Sequence, residues 1–360
     1  MKKIQIIFLV LIGCIISCNE DDPETNTNNF EVREFLDDVA TNNILLSVNE
    51  FKNQTDALNL AVEVYLNDIN ETNLVTVRNQ WKSTALAYAS IYAFNIGEVR
   101  DRFFHQALYN WPTLPNAIES FIVDNTEINE ELITSISPQA KTLSGLEYLV
   151  FKDSLGNTNQ EFTLSDNRQN YLRFIALELK NQASRLLNVW EESGEDYASV
   201  FVNSQATAID GSFNRLYNGL FNLIDTGKVT KIGKPAGLEN SENTNPELTQ
   251  AYFSNSSLEI LRENIQSVER VYFKTNGLGI SDYVFSVIKN NELNNAIKNK
   301  IDEIYESIDG IPVSLFEAIT TNPNEVEVLH KKLDELGILF SVDVRSVLSI
   351  IITSTDNDGD

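Results

Sequence analysis

Apolar residues that recur every three to four positions constrain this chain more than any other feature of its sequence. Leu172, Ile175, Leu179, Leu186 and Trp190 fall on one helical face. So do Leu258, Leu261, Ile265, Val268 and Tyr272, and again Leu293, Ile297, Ile301, Ile304 and Ile308. A stripe of that period buries one side of a helix and leaves the other to water. The stretches 31–69, 74–95, 197–225 and 324–351 also read as mainly helical. No convincing set of period-two strands competes, and 15 Gly and 8 Pro in 360 residues are too few for a turn-rich β protein. The expected fold is all-α, with two helical-bundle halves packed together and the apolar stripes forming core rather than cofactor boxes.

Breaks fall at "YNWPTLP" (109–115), "KDSLGNTNQEFT" (152–163), "GKVTKIGKPAGLENSENTNP" (227–246) and "DGIP" (309–312). The second is polar, contains glycine and lacks periodicity, so it is the expected boundary between an N-terminal bundle over 30–151 and a C-terminal bundle over 164–352. Residues 353–360 form an acidic tail. Its Asp356, Asp358 and Asp360 have calcium-loop spacing, but the later ligands of such a loop do not follow in this sequence.

The first residues read as an address. Lys2 and Lys3 precede an apolar run, Ile4–Ile16, which is a signal-peptide pattern too short to span a bilayer comfortably. It ends in "IISC", which resembles a bacterial lipobox, so 1–17 is expected to be removed and Cys18 to carry the lipid. "LIGC" offers Cys14, but cleavage there would strand Ile15 and Ile16 in the tether. Residues 18–29 are a polar, acidic tether expected to be disordered. The expected location is the cell envelope, on the periplasmic face of the outer membrane or on the cell surface. These are the only two cysteines, so the mature domain has no disulfide framework and no cysteine metal site.

With 27 Lys plus Arg against 52 Asp plus Glu, the formal charge is −25. Such a chain repels nucleic acid, and most of the charge reads as a solvated surface that would also tolerate cationic ligands. Catalytic signatures are missing. The two histidines, His105 and His330, are far apart and read as ordinary boundary residues. No HExxH, GxSxG or P-loop pattern occurs.

One residue breaks its own pattern. In "LSGLEYLVF" (143–151), Glu147 shares a helical face with Ala140, Leu143, Val150 and Phe151, and Ser144 borders it. Pro138 is the expected start of that helix. A carboxylate inside an apolar stripe is costly unless its charge is matched. Two matches are open: a basic residue from another helix (Arg78, Arg168, Arg215 or Lys231), or a bound cation or ligand.

"KTLSGLEYLVF" (141–151) resembles the signature segment of imelysin-like proteins, which often carries GxHxxE. "QWKSTALAYASIYAFNIGEV" (80–99), "WP" (111–112), "NGLFNLIDTGKVTKIGKPAG" (218–237), "YFSNSSLEILRENIQSVERVY" (252–272) and "VLSIIITSTDNDGD" (347–360) resemble that family's other landmarks in the same order. The resemblance implies two bundle-like halves, export, and a site where the halves join. The family includes proteins described as peptidases and iron-regulated proteins tied to iron uptake. Glu147 falls on the motif's glutamate, but Ser144 replaces its histidine and Thr142 its first glycine. Serine is a poor ligand for a borderline divalent metal at neutral pH. The expected function is a binding component in metal acquisition, iron above all. Glu147 and Ser144 would then face a divalent or ferric cation, with no catalytic residue. An imelysin-type peptidase and a non-catalytic interaction scaffold are the alternatives.

Overall fold

The computed structural model describes residues 30–125, 127–206, 208–240, 242–274 and 277–353. The expected signal peptide, Cys18, most of the tether and Asp356, Asp358 and Asp360 lie outside them. Among the described residues the fold is helical, with no strand. The helices needed here are α1 (Leu46–Asn67), α2 (Glu71–Ile91), α3 (Leu143–Phe151), α4 (Asp166–Trp190), α5 (Ser212–Thr226), α6 (Ser257–Phe273), α7 (Glu292–Asp309) and α8 (Pro323–Ile338).

α1, α2 and α4 pack side by side, with α3 laid against α2 and α4. The α4 stripe does the work its period implies: Leu172, Ile175, Leu179, Leu186 and Trp190 are all buried, and each large apolar side chain removed from water contributes roughly 1.5–3 kcal/mol. In the second half α5, α6, α7 and α8 surround Ile265, Val268, Ile301, Ile304, Leu333 and Leu336. α6 joins the halves by also packing along α2. Asn70 and Ser165 cap α2 and α4, each accepting a backbone N–H three residues on.

The structure departs from the sequence reading in four places. The stretch 152–163, read as a linker, is largely the helix Leu155–Leu164, capped by Ser154 and packed on α2 and α4. α4 therefore completes the first bundle, although the boundary at 152–163 had assigned it to the second. Its polar composition reflects a surface helix rather than a connection. The second departure lies within 197–225, where a non-helical stretch separates the helix Tyr197–Asn203 from α5. The third is at 227–246, where α5 runs on through a π-helical turn, Gly227–Gly233, and the helix Lys234–Ala236 before the chain breaks at Gly237. The fourth is the helix expected from Pro138, which is interrupted. Pro138–Lys141 is one turn, Thr142 is extended, and α3 begins at Leu143. Side chains from other helices take up the interrupted backbone: Tyr171 Oη donates to the Ala140 carbonyl at 2.9 Å, and Trp81 Nε1 to the Leu143 carbonyl at 2.8 Å.

Candidate functional site

Glu147 and Ser144 stand where the sequence placed them, one turn apart on α3, each 1% exposed. Their surroundings were not legible. Ser144 Oγ donates to the Asn110 carbonyl and lies 3.1 Å from Thr142 Oγ1, which in turn accepts the Asn110 N–H. The hydroxyl is thus engaged in holding the 109–113 loop against α3.

Glu147 faces a turn from the other half. Residues 249–256 approach α3, and the backbone N–H of Ser254 donates to Glu147 Oε1 at 2.8 Å. Ala251 and Asn255 both have φ of 58°. Left-handed backbone of this kind costs roughly 1–2 kcal/mol for a residue with a Cβ, somewhat less for Asn. The turn is pinned by Ser256 N–H and Ser254 Oγ on the Ala251 carbonyl, at 3.1 and 3.2 Å, and by Ser257 Oγ on the Gln250 carbonyl. The strain is what turns the N–H groups toward the carboxylate.

Burial is the dominant influence on this carboxylate and lifts its pKa to about 7, with the Ser254 backbone and hydroxyl and the Phe253 N–H pulling partly the other way. None of the four basic residues considered as partners pairs with it. Arg78 donates to the Val150 and Asp153 carbonyls at the end of α3. Arg168 pairs with Glu119. The Arg215 guanidinium makes no hydrogen bond or ion pair, and Lys231 bonds elsewhere.

Lys231 comes from the π-helical turn and is 3% exposed. Its Nζ donates to Asn264 Oδ1 at 2.5 Å and lies over the rings of Trp111 and Tyr92, 5.4 and 5.7 Å from their centroids. Asn264 in turn donates to the Ala89 carbonyl at 2.8 Å, which ties α6 to α2. Burial depresses the Lys231 pKa to about 7. Tyr109 lies between the two charged groups. Its ring is 5.8 Å from that of Trp111, and Glu147 is close enough to help raise its pKa, though burial is the main cause. Tyr109 Oη lies beside the Gln250 amide, yet neither it nor Gln250 Oε1 has a hydrogen-bond partner of normal geometry; Trp111 Nε1 and Thr249 Oγ1 are also unpaired. Buried polar atoms are seldom left so, and a run of them marks a place where a ligand or rearrangement can be accommodated.

Of these residues, the sequence singled out Glu147 and Ser144 and named Lys231 only as a possible partner. Trp111 entered as a landmark. Ser254, Tyr109 and Gln250 were missed. The signal for Ser254 was the polar "SNSS" ahead of the α6 stripe, a turn pattern with nothing local to say what it faces. The two histidines lie apart from Glu147: His330 Nε2 lies 3.0 Å from Glu239 Oε1, an acidic neighbour the sequence did not suggest, and His105 Nδ1 lies 3.1 Å from Asn95 Nδ2.

A two-bundle, all-helical protein with a buried carboxylate at the join of its halves is the class of protein this geometry defines. The chain belongs to the imelysin family, whose profile matches residues 44–339. It is similar in structure to a protein described as an iron-regulated protein A precursor from Parabacteroides distasonis ATCC 8503, with a TM-score of 0.75, 16% identity, and coverage of 88% of this chain and 95% of that one. It is similar also to an imelysin-like protein from Psychrobacter arcticum 273-4, with a TM-score of 0.73, 16% identity, and coverage of 90% and 97%. Identity this low shows a shared fold. No curated protein matches the chain.

Proposed function

We propose that this imelysin-family chain is a non-catalytic binding lipoprotein of the cell envelope, anchored through Cys18, that serves in iron acquisition with metal as its cargo. The observation that carries the binding role is Glu147: a carboxylate 1% exposed, at the join of the halves, with no basic side chain paired to it among the described residues. Iron enters through the description of one structural relative as iron-regulated. The residues present do not fit a resident metal. Among the described residues no three His, Cys, Asp or Glu side chains lie together, and Ser144 is engaged with the Asn110 carbonyl. A cargo ion would therefore use Glu147 as its one acidic protein ligand and keep other ligands that arrive with it. The junction must open to admit it, and the Ser254–Glu147 bond is the contact that gives way.

The test is thermal melting of wild type and Glu147→Gln, each in chelator and with ferrous, ferric or zinc ion, supplied free or as a small chelate. A ligand held at a hundred times its Kd adds about 2.7 kcal/mol of stability, so wild type should melt higher with the metal and the variant should not. No metal-dependent shift in wild type rejects the reading. The same Ser254–Glu147 bond favours a second reading, an interaction scaffold whose junction stays closed; it gains support if no ion shifts either protein. For the anchor, Cys18→Ala should yield an unprocessed or soluble product while Cys14→Ala is still lipidated; the reverse moves the lipid to Cys14. Several acyl chains are needed, since one gives only marginal membrane binding.

A further inference from the structure

Glu147 is covered by residues 249–256, and the two sides of the junction are not equally free to move. The bundles themselves are firmly joined. α6 packs along α2, and Ile260, Leu261 and Asn264 of α6 are each 1% exposed. Asn264 bonds to the Ala89 carbonyl while it holds Lys231. Separating the halves would expose the packed face of α6 and break the Asn264 bond.

The turn is held differently. Its middle, Tyr252, Phe253 and Ser254, lies between Ala251 and Asn255, both at φ of 58°. Neither is glycine, so both gain by returning to ordinary backbone. The hydrogen bonds of the middle to other parts of the protein converge on Glu147, from the Ser254 N–H at 2.8 Å and from the Phe253 N–H beside it. The Phe253 ring meets Tyr148 edge-on at 5.3 Å and lies 4.0 Å from the Tyr252 ring. Tyr252 in turn stacks at 5.2 Å on Phe316, which reaches the surface. On the inner side Thr249 Oγ1 and Gln250 Oε1 are buried and unpaired, and water would satisfy both if the turn lifted. The Ser256 N–H and Ser254 Oγ bonds to the Ala251 carbonyl lie within the turn.

We propose that residues 252–254 form a lid over Glu147, hinged at Ala251 and Asn255, which opens while the two bundles stay packed. The proposal rests on the metal-binding reading for what passes under the lid, and not for the motion. On opening, Ala251 and Asn255 leave the left-handed region and Phe253 leaves the Tyr148 ring. Glu147 exchanges two backbone donors for water or for the cargo. A motion of this size exposes little surface, so denaturant changes its frequency little, whereas parting of the bundles would be strongly promoted by denaturant.

The experiment is amide hydrogen exchange of the full chain without metal, read by mass spectrometry in rising urea below the unfolding transition. Amides of 253–256 should exchange at rates that urea leaves nearly constant. Those of α2 and the middle of α6 should exchange far more slowly, and faster with each increment of urea. Glu147→Ala removes the acceptor and should speed exchange in 253–256 by about tenfold, with the α2 and α6 pattern still in place. Ala251→Gly takes the Cβ out of the left-handed region and should slow that exchange by about threefold. The lid is overturned if 253–256 share the rate and urea dependence of α6, or if either variant leaves their exchange unchanged. A metal-dependent melting shift with a turn as slow as α6 keeps the binding reading and removes the lid. A fast turn with no metal-dependent shift keeps the lid and removes the binding reading.

Discussion

The backbone N–H of Ser254 donates to the carboxylate of Glu147 across 107 positions of sequence, at 2.8 Å. That bond joins α3 of the first bundle to the turn that precedes α6 of the second. It makes the charge on Glu147 and the fit of the two halves a single energetic question.

Stability should depend on the Glu147 proton. Its carboxyl is raised from the ordinary 4.5 to about 7 on folding. Between those values the folded protein keeps a proton the unfolded chain has released, so stability falls as pH rises through the window and levels off above it. The full effect is about 3 kcal/mol. Glu147→Gln keeps the acceptor for Ser254 N–H and cannot ionise. Urea unfolding from about pH 4.5 to about pH 8 should therefore show wild type losing stability relative to the variant. Parallel curves would mean that the carboxylate is well solvated or paired. Glu147→Ala removes the acceptor as well, and the stranded Ser254 N–H should cost about 1–3 kcal/mol at low pH.

Lys231 should act in the opposite pH range. Burial lowers its amine from 10.5 to about 7. In that interval the unfolded chain holds the proton and the folded one has lost it, so stability rises as pH rises from 7 toward 10.5. The Trp111 and Tyr92 faces favour the charged amine and reduce the effect to about 2–3 kcal/mol. Compared with Lys231→Met, wild type should gain stability from about pH 7 to about pH 10 in the same assay. A constant difference would rule out the depressed amine.

The break at Thr142 should depend on Gly145. A Cβ at 145 would lie 2.1 Å from the Ala140 carbonyl oxygen, a backbone atom that also accepts the Tyr171 hydroxyl. Gly145→Ala should cost about 3 kcal/mol or more by forcing the turn and α3 apart. Gly156→Ala is the control. Its nearest neighbour outside its own helix would be Glu71 Oε1 at 3.9 Å, and Ala there should stabilise by up to about 1 kcal/mol. Melting temperatures of both variants decide it, and equal small shifts would contradict the steric reading.

The sequence by itself determined the helices and their inner faces. Leu172 through Trp190 and Leu293 through Ile308 report burial through a period that depends only on local backbone geometry, and a core follows wherever such faces meet. It also showed that Glu147 is anomalous, since a carboxylate inside an apolar stripe is visible without any fold. Helices that hide their period were lost: Leu155–Leu164 is too polar to announce itself, and the π turn at Gly227–Gly233 carries two glycines that read as a break. What only the tertiary structure decided is how each buried charge is met. Glu147 is met by a strained turn, and Lys231 by an amide and two ring faces. A hydrogen bond to backbone leaves no trace in the identity of its donor, because every residue but proline offers the same N–H. The partner of a buried carboxylate can be read from sequence when it is an arginine, and cannot be when it is the shape of a turn a hundred residues away.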